Sequence, residues 1–442
     1  MRKFLMAIPL ALALAYVGTG VAQAASLDNI LNGVQVDGKV RAYRFTRQFT
    51  PNVNSTDQNA FGLAGILNLH TDAAADGWGF GVTGMTAQSL GLNDPAGTVD
   101  ATLMGKQSQY SVLGQLYLQY RQPLWMVRAG DQELSTPWMG GSDSRVLPAT
   151  YQAVLLQINP IDHLHVYALR ETAWKSRTSD NYFQNNLYYP STWGGDQSYG
   201  GAGGLAAGTQ RFSGTLAAGA DYKANGLNAR LWYYEFYNFA NMGYGEATYT
   251  YKTGTGFNPF VGIQGVTENL SASKSFLGQK VDSQTYGFKV GVNIPHGQIF
   301  VAYDKINDNT GAYGNGKIVS PFTASYATDP LWTTSMIRGL VELGPGHAWK
   351  VKGTYKLFNN QLRLMAAYAR YTNLTPKPGN SNDTYGDITW FFRGTYAGVS
   401  LKGLSLRDRI EVSHGDQANG TNKAGQQIST FVYNRVMAEY DF

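Results

Sequence analysis

The 442-residue chain has no cysteine, which excludes a disulfide framework and cysteine-based metal sites and leaves nothing to mispair in an oxidising compartment. Charge is sparse, at 15% of residues. Past residue 25 no stretch approaches the ~20 apolar residues of a membrane helix, and a mean hydropathy of -0.27 excludes a helical membrane bundle. Also lacking is any composition break where a linker could sit, although the length alone allows two or three domains of roughly 150 residues each. One large architecture is therefore expected. What the sequence does hold is 43% hydrophobic residues, with 52 Gly, 29 Tyr, 20 Phe and 9 Trp, too apolar for a largely disordered chain.

The first 24 residues read as an export signal. Arg2 and Lys3 make a positive start, Phe4 to Val17 an apolar run, and Ala22-Gln23-Ala24 an A-x-A cleavage site. A signal peptide at 1–24 and a mature chain at 25–442 are expected. The competing reading, a transmembrane anchor, is weakened by the shortness of the run and the lack of a positive flank after it. Without Arg2 and Lys3 the mature chain carries 33 basic and 30 acidic residues, and a net charge of +3 argues against a nucleic-acid partner.

Beyond Ala25 the recurring signal is alternation with period two. In Gly33 to Phe45 one face reads Val34, Val36, Gly38, Val40, Ala42 and the other Gln35, Asp37, Lys39, Arg41, Tyr43. The same pattern runs through 61–69, 285–294, 349–357 and 362–368, and less clearly through 257–269. These are strands with one apolar and one polar face. A soluble sandwich would alternate too. Export, strand lengths near the ~9–11 residues of a membrane-spanning strand, and aromatic residues at strand ends favour a transmembrane antiparallel β-barrel. The chain closes on the strand Ile428 to Phe442, and a terminal Phe442 on the outward face resembles the signal that delivers outer-membrane barrels to their insertion machinery.

The connections give an independent check. Turn chemistry marks short links at 121–123, 159–162, 224–226, 253–256, 293–297, 359–360 and 400–403. Longer polar, Gly-rich stretches fall near 46–60, 88–109, 132–149, 175–211, 239–243, 270–283, 307–346, 372–384 and 414–426. From a periplasmic start, the alternation yields an all-β barrel of 18 strands in the outer membrane of a Gram-negative-type bacterium, with lipid and lipopolysaccharide as its surroundings.

If the apolar face meets lipid, the lumen receives Arg41, Arg128, Lys289, Lys350, Lys352, Arg363, Arg393, Arg407, Arg409 and Arg435. Arg407 and Arg409 point inward from one strand, with Arg393 and Arg435 expected from the strands on either side. Guanidiniums on adjacent strands can offer bidentate hydrogen bonds to carboxylates at successive heights. Pairing with wall acids such as Asp387, Glu411 and Glu439 is the competing reading. Asp408 falls in the outward register of that same strand, which is costly at the bilayer midplane.

An 18-stranded cylinder alone would leave a wide aqueous channel, so something must narrow it. Gly141 to Tyr151, containing Ser142-Asp143-Ser144-Arg145-Val146-Leu147-Pro148, resembles the third loop of the OprD family of substrate-specific outer-membrane porins, where an S-D-S-R-x-L-P run narrows the pore. Thr328-Asp329-Pro330-Leu331 resembles that family's D-P-L segment in the seventh loop, and Gly403 to Arg409 its L-K-G-L-S-L-R-x-R strand. Asp408 departs from that pattern. The resemblance implies inward-folded third and seventh extracellular loops, with Ser142, Asp143, Ser144 and Arg145 in the constriction and Asp329 close by. It also implies a basic ladder to which Arg41, Arg128, Arg393, Arg407, Arg409 and Arg435 belong.

The implied function is passive, selective passage of small carboxylate-bearing solutes such as amino acids or organic acids, anionic or zwitterionic. A non-selective general diffusion porin is the alternative. No enzyme motif is found: the glycine clusters lack a Walker-type lysine or a dinucleotide fingerprint, no nucleophile elbow is present, and His163 with His165, expected on one face of a strand, lack a third metal ligand. No cofactor or metal is expected, and association into a homotrimer is left open, because lipid-facing and protein-facing surfaces are equally apolar.

Overall fold

A computed structural model describes residues 33–51, 57–71, 77–93, 98–105, 108–142, 144–183, 214–275, 277–322, 328–336, 338–373, 379–415 and 425–442. The expected signal peptide at 1–24 and Asp143 lie outside the described residues. The strands are β1 (Gln35–Thr50), β2 (Gln58–His70), β3 (Trp78–Gln88), β4 (Gln109–Gln122), β5 (Trp125–Gln132), β6 (Thr150–Ile161), β7 (Leu164–Lys175), β8 (Thr215–Ala224), β9 (Leu227–Phe236) and β10 (Ala240–Thr250). The series continues with β11 (Asn258–Leu270), β12 (Val281–Ile294), β13 (Gly297–Ile306), β14 (Gly346–Leu357), β15 (Leu362–Asn373) and β16 (Gly379–Phe391). A two-residue ribbon of β17 (Thr395–Tyr396) and β18 (Val399–Ser400) follows, then β19 (Leu404–Gly415) and β20 (Thr430–Asp441).

Apart from that ribbon, the strands form one 18-stranded antiparallel sheet in which each pairs with its neighbours in sequence. Closure comes from β1 against β20, in register from Lys39 opposite Asp441 to Thr50 opposite Thr430. It extends to the chain end: Gly38 and Phe442 exchange two backbone hydrogen bonds of 3.0 Å. Closing a sheet removes its edges, as a β-structure exposed to hydrocarbon requires.

Alternation sorts the side chains as the sequence reading requires. Outward stand Val36, Val40, Leu67, Leu69, Ile263, Phe288, Val290, Val301, Ile388 and Val436, all exposed. Tyr440, Phe442 and Trp390 stand outward near the short turns, Tyr368 and Trp349 near the long loops, which is the aromatic-girdle arrangement of a lipid-facing band. The strand with poor alternation is real, because β11 pairs along its whole length with β12. A tight Asn225-Gly226 link joins β8 to β9 with both residues at positive φ, 51° and 86°, as a two-residue hairpin demands.

Two details differ from the sequence reading. β16 stops at Phe391, and the Phe392 amide bonds the Leu404 carbonyl at 2.9 Å to close the turn. Arg393 is therefore an exposed turn residue below the wall and cannot belong to a lumenal row. His163 likewise sits in a turn, at a φ of 68°, and not on a strand face beside His165.

Asp408 does point outward, between Ile388 and Val436, and accepts a 2.6 Å hydrogen bond from the Asn434 amide. A carboxylate in the lipid band is a cost that one amide offsets only in part. Asp408→Asn keeps a hydrogen-bonding group and removes the charge, and should raise the barrel's thermal unfolding midpoint by a few degrees in a heat-modifiability gel. An unchanged or lowered midpoint would show that the carboxylate has a stabilising partner.

The core is not inside a sandwich but between the wall and loops folded into the lumen. Trp138 from the third long loop and Phe322 from the seventh pack on the lumenal faces of Tyr234, Phe236 and Tyr244, all buried. Trp232, Tyr234 and Phe236 alternate along β9 and stack with centroid spacings of 5.7 and 5.4 Å. Such aromatic burial contributes the dispersion and desolvation that hold the loops against the wall.

Candidate constriction and the basic wall

The third long loop (133–149) crosses the lumen and leans on β1. The Arg41 guanidinium donates to the Arg145 carbonyl at 2.8 Å, and the Arg145 guanidinium lies 5.8 Å over the Phe45 ring while donating to the Ser144 carbonyl at 2.9 Å. Ser142, at a φ of 57°, turns its hydroxyl to within 2.9 Å of the Ser144 hydroxyl. Both hydroxyls accept from Arg177 of the fourth long loop, that of Ser144 at 2.6 Å. The sequence reading did not anticipate this third partner. Residues 175–179 are fully buried, and Tyr110 donates to the Arg177 carbonyl at 3.0 Å, so the start of the fourth loop props up the constriction.

The second long loop also folds in. Asp100 forms a 2.7 Å ion pair with Arg47 and accepts from Tyr433 at 2.9 Å, which brings Leu103 and Met104 onto the β1–β20 wall beside Val146 and Leu147. The Arg47 guanidinium, lying 4.4 Å over the Tyr433 ring, holds the Asp100 carboxyl below the usual range against the opposing effect of its burial. In the sequence the cue was faint. Arg41, Tyr43, Phe45 and Arg47 alternate on one face, but nothing local marks Asp100 as the partner.

The seventh loop (307–345) is pinned to the wall by carboxylates. Asp304 accepts from the Thr333 amide at 2.7 Å, and Glu411 from the Met336 amide at 2.7 Å and the Ser335 hydroxyl at 2.6 Å. Lys350 donates to the Thr334 carbonyl at 2.6 Å and Tyr371 to the Thr333 carbonyl at 2.7 Å. Asp329 is spent within the loop: its oxygens accept from the Leu331 amide and the Thr334 hydroxyl at 2.9 and 2.7 Å. Burial pushes its carboxyl above the usual carboxylate range, and its two hydrogen bonds hold its own turn. Asp329, expected close to the constriction, has its carboxylate engaged by its own loop. A short helix, α1 (Leu340–Leu343), ends the segment with its Glu342 carboxylate accepting from the Gly339 amide at 2.7 Å.

The basic residues divide by position. Arg363, Arg407, Arg409, Arg435 and Arg41 come from β15, β19, β20 and β1, with Lys350 and Lys352 from β14 beside them. Arg363, Thr389 and Arg407 share one rung; Asp387, Arg409, Arg435 and Phe45 share the next. Arg128 lies apart on β5, donating to Gln119 at 2.8 and 3.1 Å and stacking 4.4 Å over Tyr117.

Within the group, counter-charges are unevenly spread. Arg407 grips Asp387 with its Nε at 3.0 and 3.1 Å from the two oxygens, Arg409 stands 3.6 Å from the same carboxylate, and Arg41 pairs with Glu439 at 2.6 Å. Arg435 is different. It is 3% exposed, sandwiched 4.8 Å from Phe45 and 4.2 Å from Tyr433, and takes no hydrogen bond or ion pair among the described residues. A buried guanidinium without an acceptor is expensive unless a ligand supplies one.

A family profile described as "outer membrane porin, OprD family" matches residues 28–328. No curated protein sequence matches the chain. Among solved structures, a BenF-like porin from Pseudomonas fluorescens Pf-5 is similar at TM-score 0.74 and 16% identity, over 93% of this chain and 99% of that one. OccK9 (OpdG) of Pseudomonas aeruginosa is similar at TM-score 0.73 and 16% identity, with the same coverage. OpdK of Pseudomonas aeruginosa with vanillate is similar at TM-score 0.68 and 15% identity, again over 93% and 99%.

Proposed function

Because this chain belongs to the OprD family of outer membrane porins, channel proteins of the Gram-negative outer membrane, we propose that it is a passive, selective channel for small carboxylate-bearing solutes. The observation that carries this reading is Arg435, a buried cation stacked between two ring faces and paired in register with Arg409, with no hydrogen bond or ion pair among the described residues. Stacking occupies the faces of a guanidinium and spares its in-plane N–H fork for a carboxylate. Arg409 stands directly opposite on the neighbouring strand, and Arg363 with Arg407 one rung below. Such a run lets an anion pass from one cation to the next without a single deep well, which is what conduction requires. The vanillate held by the OpdK structure is a monocarboxylate, which supports the same substrate class.

In this reading Ser142, Ser144 and Arg145 shape the constriction beside the arginines of β1 and β20, and Asp143, next to them in sequence, belongs to the same set. Phe442 serves insertion, and lipid with lipopolysaccharide surrounds the barrel. The test is solute flux into liposomes carrying the refolded barrel. Arg407→Ala with Arg409→Ala should lower carboxylate flux several-fold and leave flux of a neutral sugar of the same size unchanged, with heat-modifiable migration intact. Equal flux of carboxylate and sugar through both channels would demote the protein to a general diffusion porin.

A further inference from the structure

The wall half a turn round the barrel from the arginines ends, at its short-turn side, in a cavity of about 520 Å³ lined by Lys223, Lys252 and Lys289 with Asn228, Asn293 and Gln298. Register places its parts in a row. Lys223 on β8 pairs with Asn228 on β9, Asn228 with Thr248 on β10, Thr248 with Gly262 on β11, and Gly262 with Lys289 on β12. A lysine therefore stands at each end, roughly 19 Å apart along the wall at about 4.8 Å per strand. Between them are an amide, a hydroxyl and a residue with no side chain. A Cβ at Gly262 would come within 3.0 Å of the Trp332 ring and 2.9 Å of the Thr248 hydroxyl, so glycine keeps the middle of the row clear.

Among the described residues no direct ion pair neutralises these charges, and the carboxylates that act on Lys289, Glu246 and Asp304, do so from further in. No carboxylate lines the cavity, and none of the three lysines has an ion-pair partner among the described residues. The acids one rung further in are engaged elsewhere: Asp221 pairs with Arg230 at 3.2 Å and accepts from the Trp232 indole at 2.9 Å, and Glu246 stands 4.0 Å from the same arginine. Lys289 is held in place by the seventh loop, its ammonium 4.2 Å over the Trp332 ring. Gln298 donates to the Asn293 carbonyl oxygen at 2.8 Å, which fixes that amide pair beside the lysines.

We propose that this cavity is a second anion site, a vestibule on the short-turn, periplasmic side that holds small solutes bearing several carboxylates. Lysines are point charges on long, mobile stems, suited to gathering a hydrated polyanion rather than clamping one carboxylate in a fixed plane. Focusing of the field by like charges on a low-dielectric wall raises the local anion concentration there. The site lies apart from the arginine wall and rests only on the reading of the lumen as a solute path.

Citrate tests it in an oriented planar bilayer. Added on the short-turn side, citrate should interrupt the current at concentrations at least tenfold lower than when added on the long-loop side. Replacing Lys223, Lys252 and Lys289 together by Gln should weaken that block at least tenfold, whereas replacing all three by Arg should preserve it, which separates charge from folding. Arg435→Gln should leave it intact. Block that is equal from both sides, or unchanged in the triple Gln variant, overturns the vestibule. Loss of block in Arg435→Gln with the lysines in place would do the same, by assigning citrate to the arginine wall. If monocarboxylates fail to bind the arginine wall but citrate block keeps its lysine dependence, the vestibule stands and the proposed substrate class falls.

Discussion

An Arg435→Gln channel is expected to pass potassium chloride almost as readily as the native one and to bind a small monocarboxylate tenfold to a hundredfold more weakly. A hydrogen bond to a charged group contributes about 1.5–3 kcal/mol, and each 1.4 kcal/mol is a factor of about ten. Arg435 has no hydrogen-bonded or ion-paired acceptor among the described residues, so its loss removes ligand affinity without breaking a direct ion pair. Arg407 would behave differently, because its loss takes from Asp387 its nearest ion-pair partner. Arg435→Lys should fall between the two, retaining the charge but not the planar fork. Current-noise analysis with titrated benzoate reads the affinity. An unchanged affinity in Arg435→Gln would remove this guanidinium from the solute path.

The second large effect concerns pore width. Asp304→Ala combined with Glu411→Ala should raise single-channel conductance several-fold and blunt solute selectivity. The two carboxylates take the Thr333 and Met336 amides and the Ser335 hydroxyl, and each buried N–H left without an acceptor costs about 1–3 kcal/mol. Water is the nearest replacement, so the seventh loop should leave the wall and open a lumen that 18 strands alone would leave wide. Asp304→Asn with Glu411→Gln keeps an acceptor oxygen at each place and should change conductance little. Unaltered conductance in the double alanine variant would mean that Lys350, Tyr371 and the aromatic core hold the loop without them.

The wall was legible because one face of each strand meets lipid and the other meets water, which stamps period two onto the sequence even where single strands are short. Turn chemistry then supplied the parity. Arg393 was misplaced because Phe391-Phe392-Arg393 continues an alternation that the backbone abandons at Phe391, and only the Phe392 to Leu404 hydrogen bond reveals the stop. The pins of the seventh loop were out of reach for another reason: Glu411 and Ser335 are 76 residues apart, and inward acids look alike until one finds a loop amide. The same holds for Arg435, whose lack of an acceptor among the described residues emerges only once Asp387 is seen to be taken by Arg407 and Glu439 by Arg41. Asp100 and Arg177 carry no local signature at all, since their partners come from other loops and strands.

Selective passage of carboxylates is tested most directly by reversal potential and carboxylate titration on single channels of the refolded protein in a planar bilayer under a salt gradient. The basic wall predicts a reversal potential displaced toward anion preference, with brief saturable interruptions of a small current as benzoate is added. A large current with no ionic preference, indifferent to benzoate at every concentration, would contradict it.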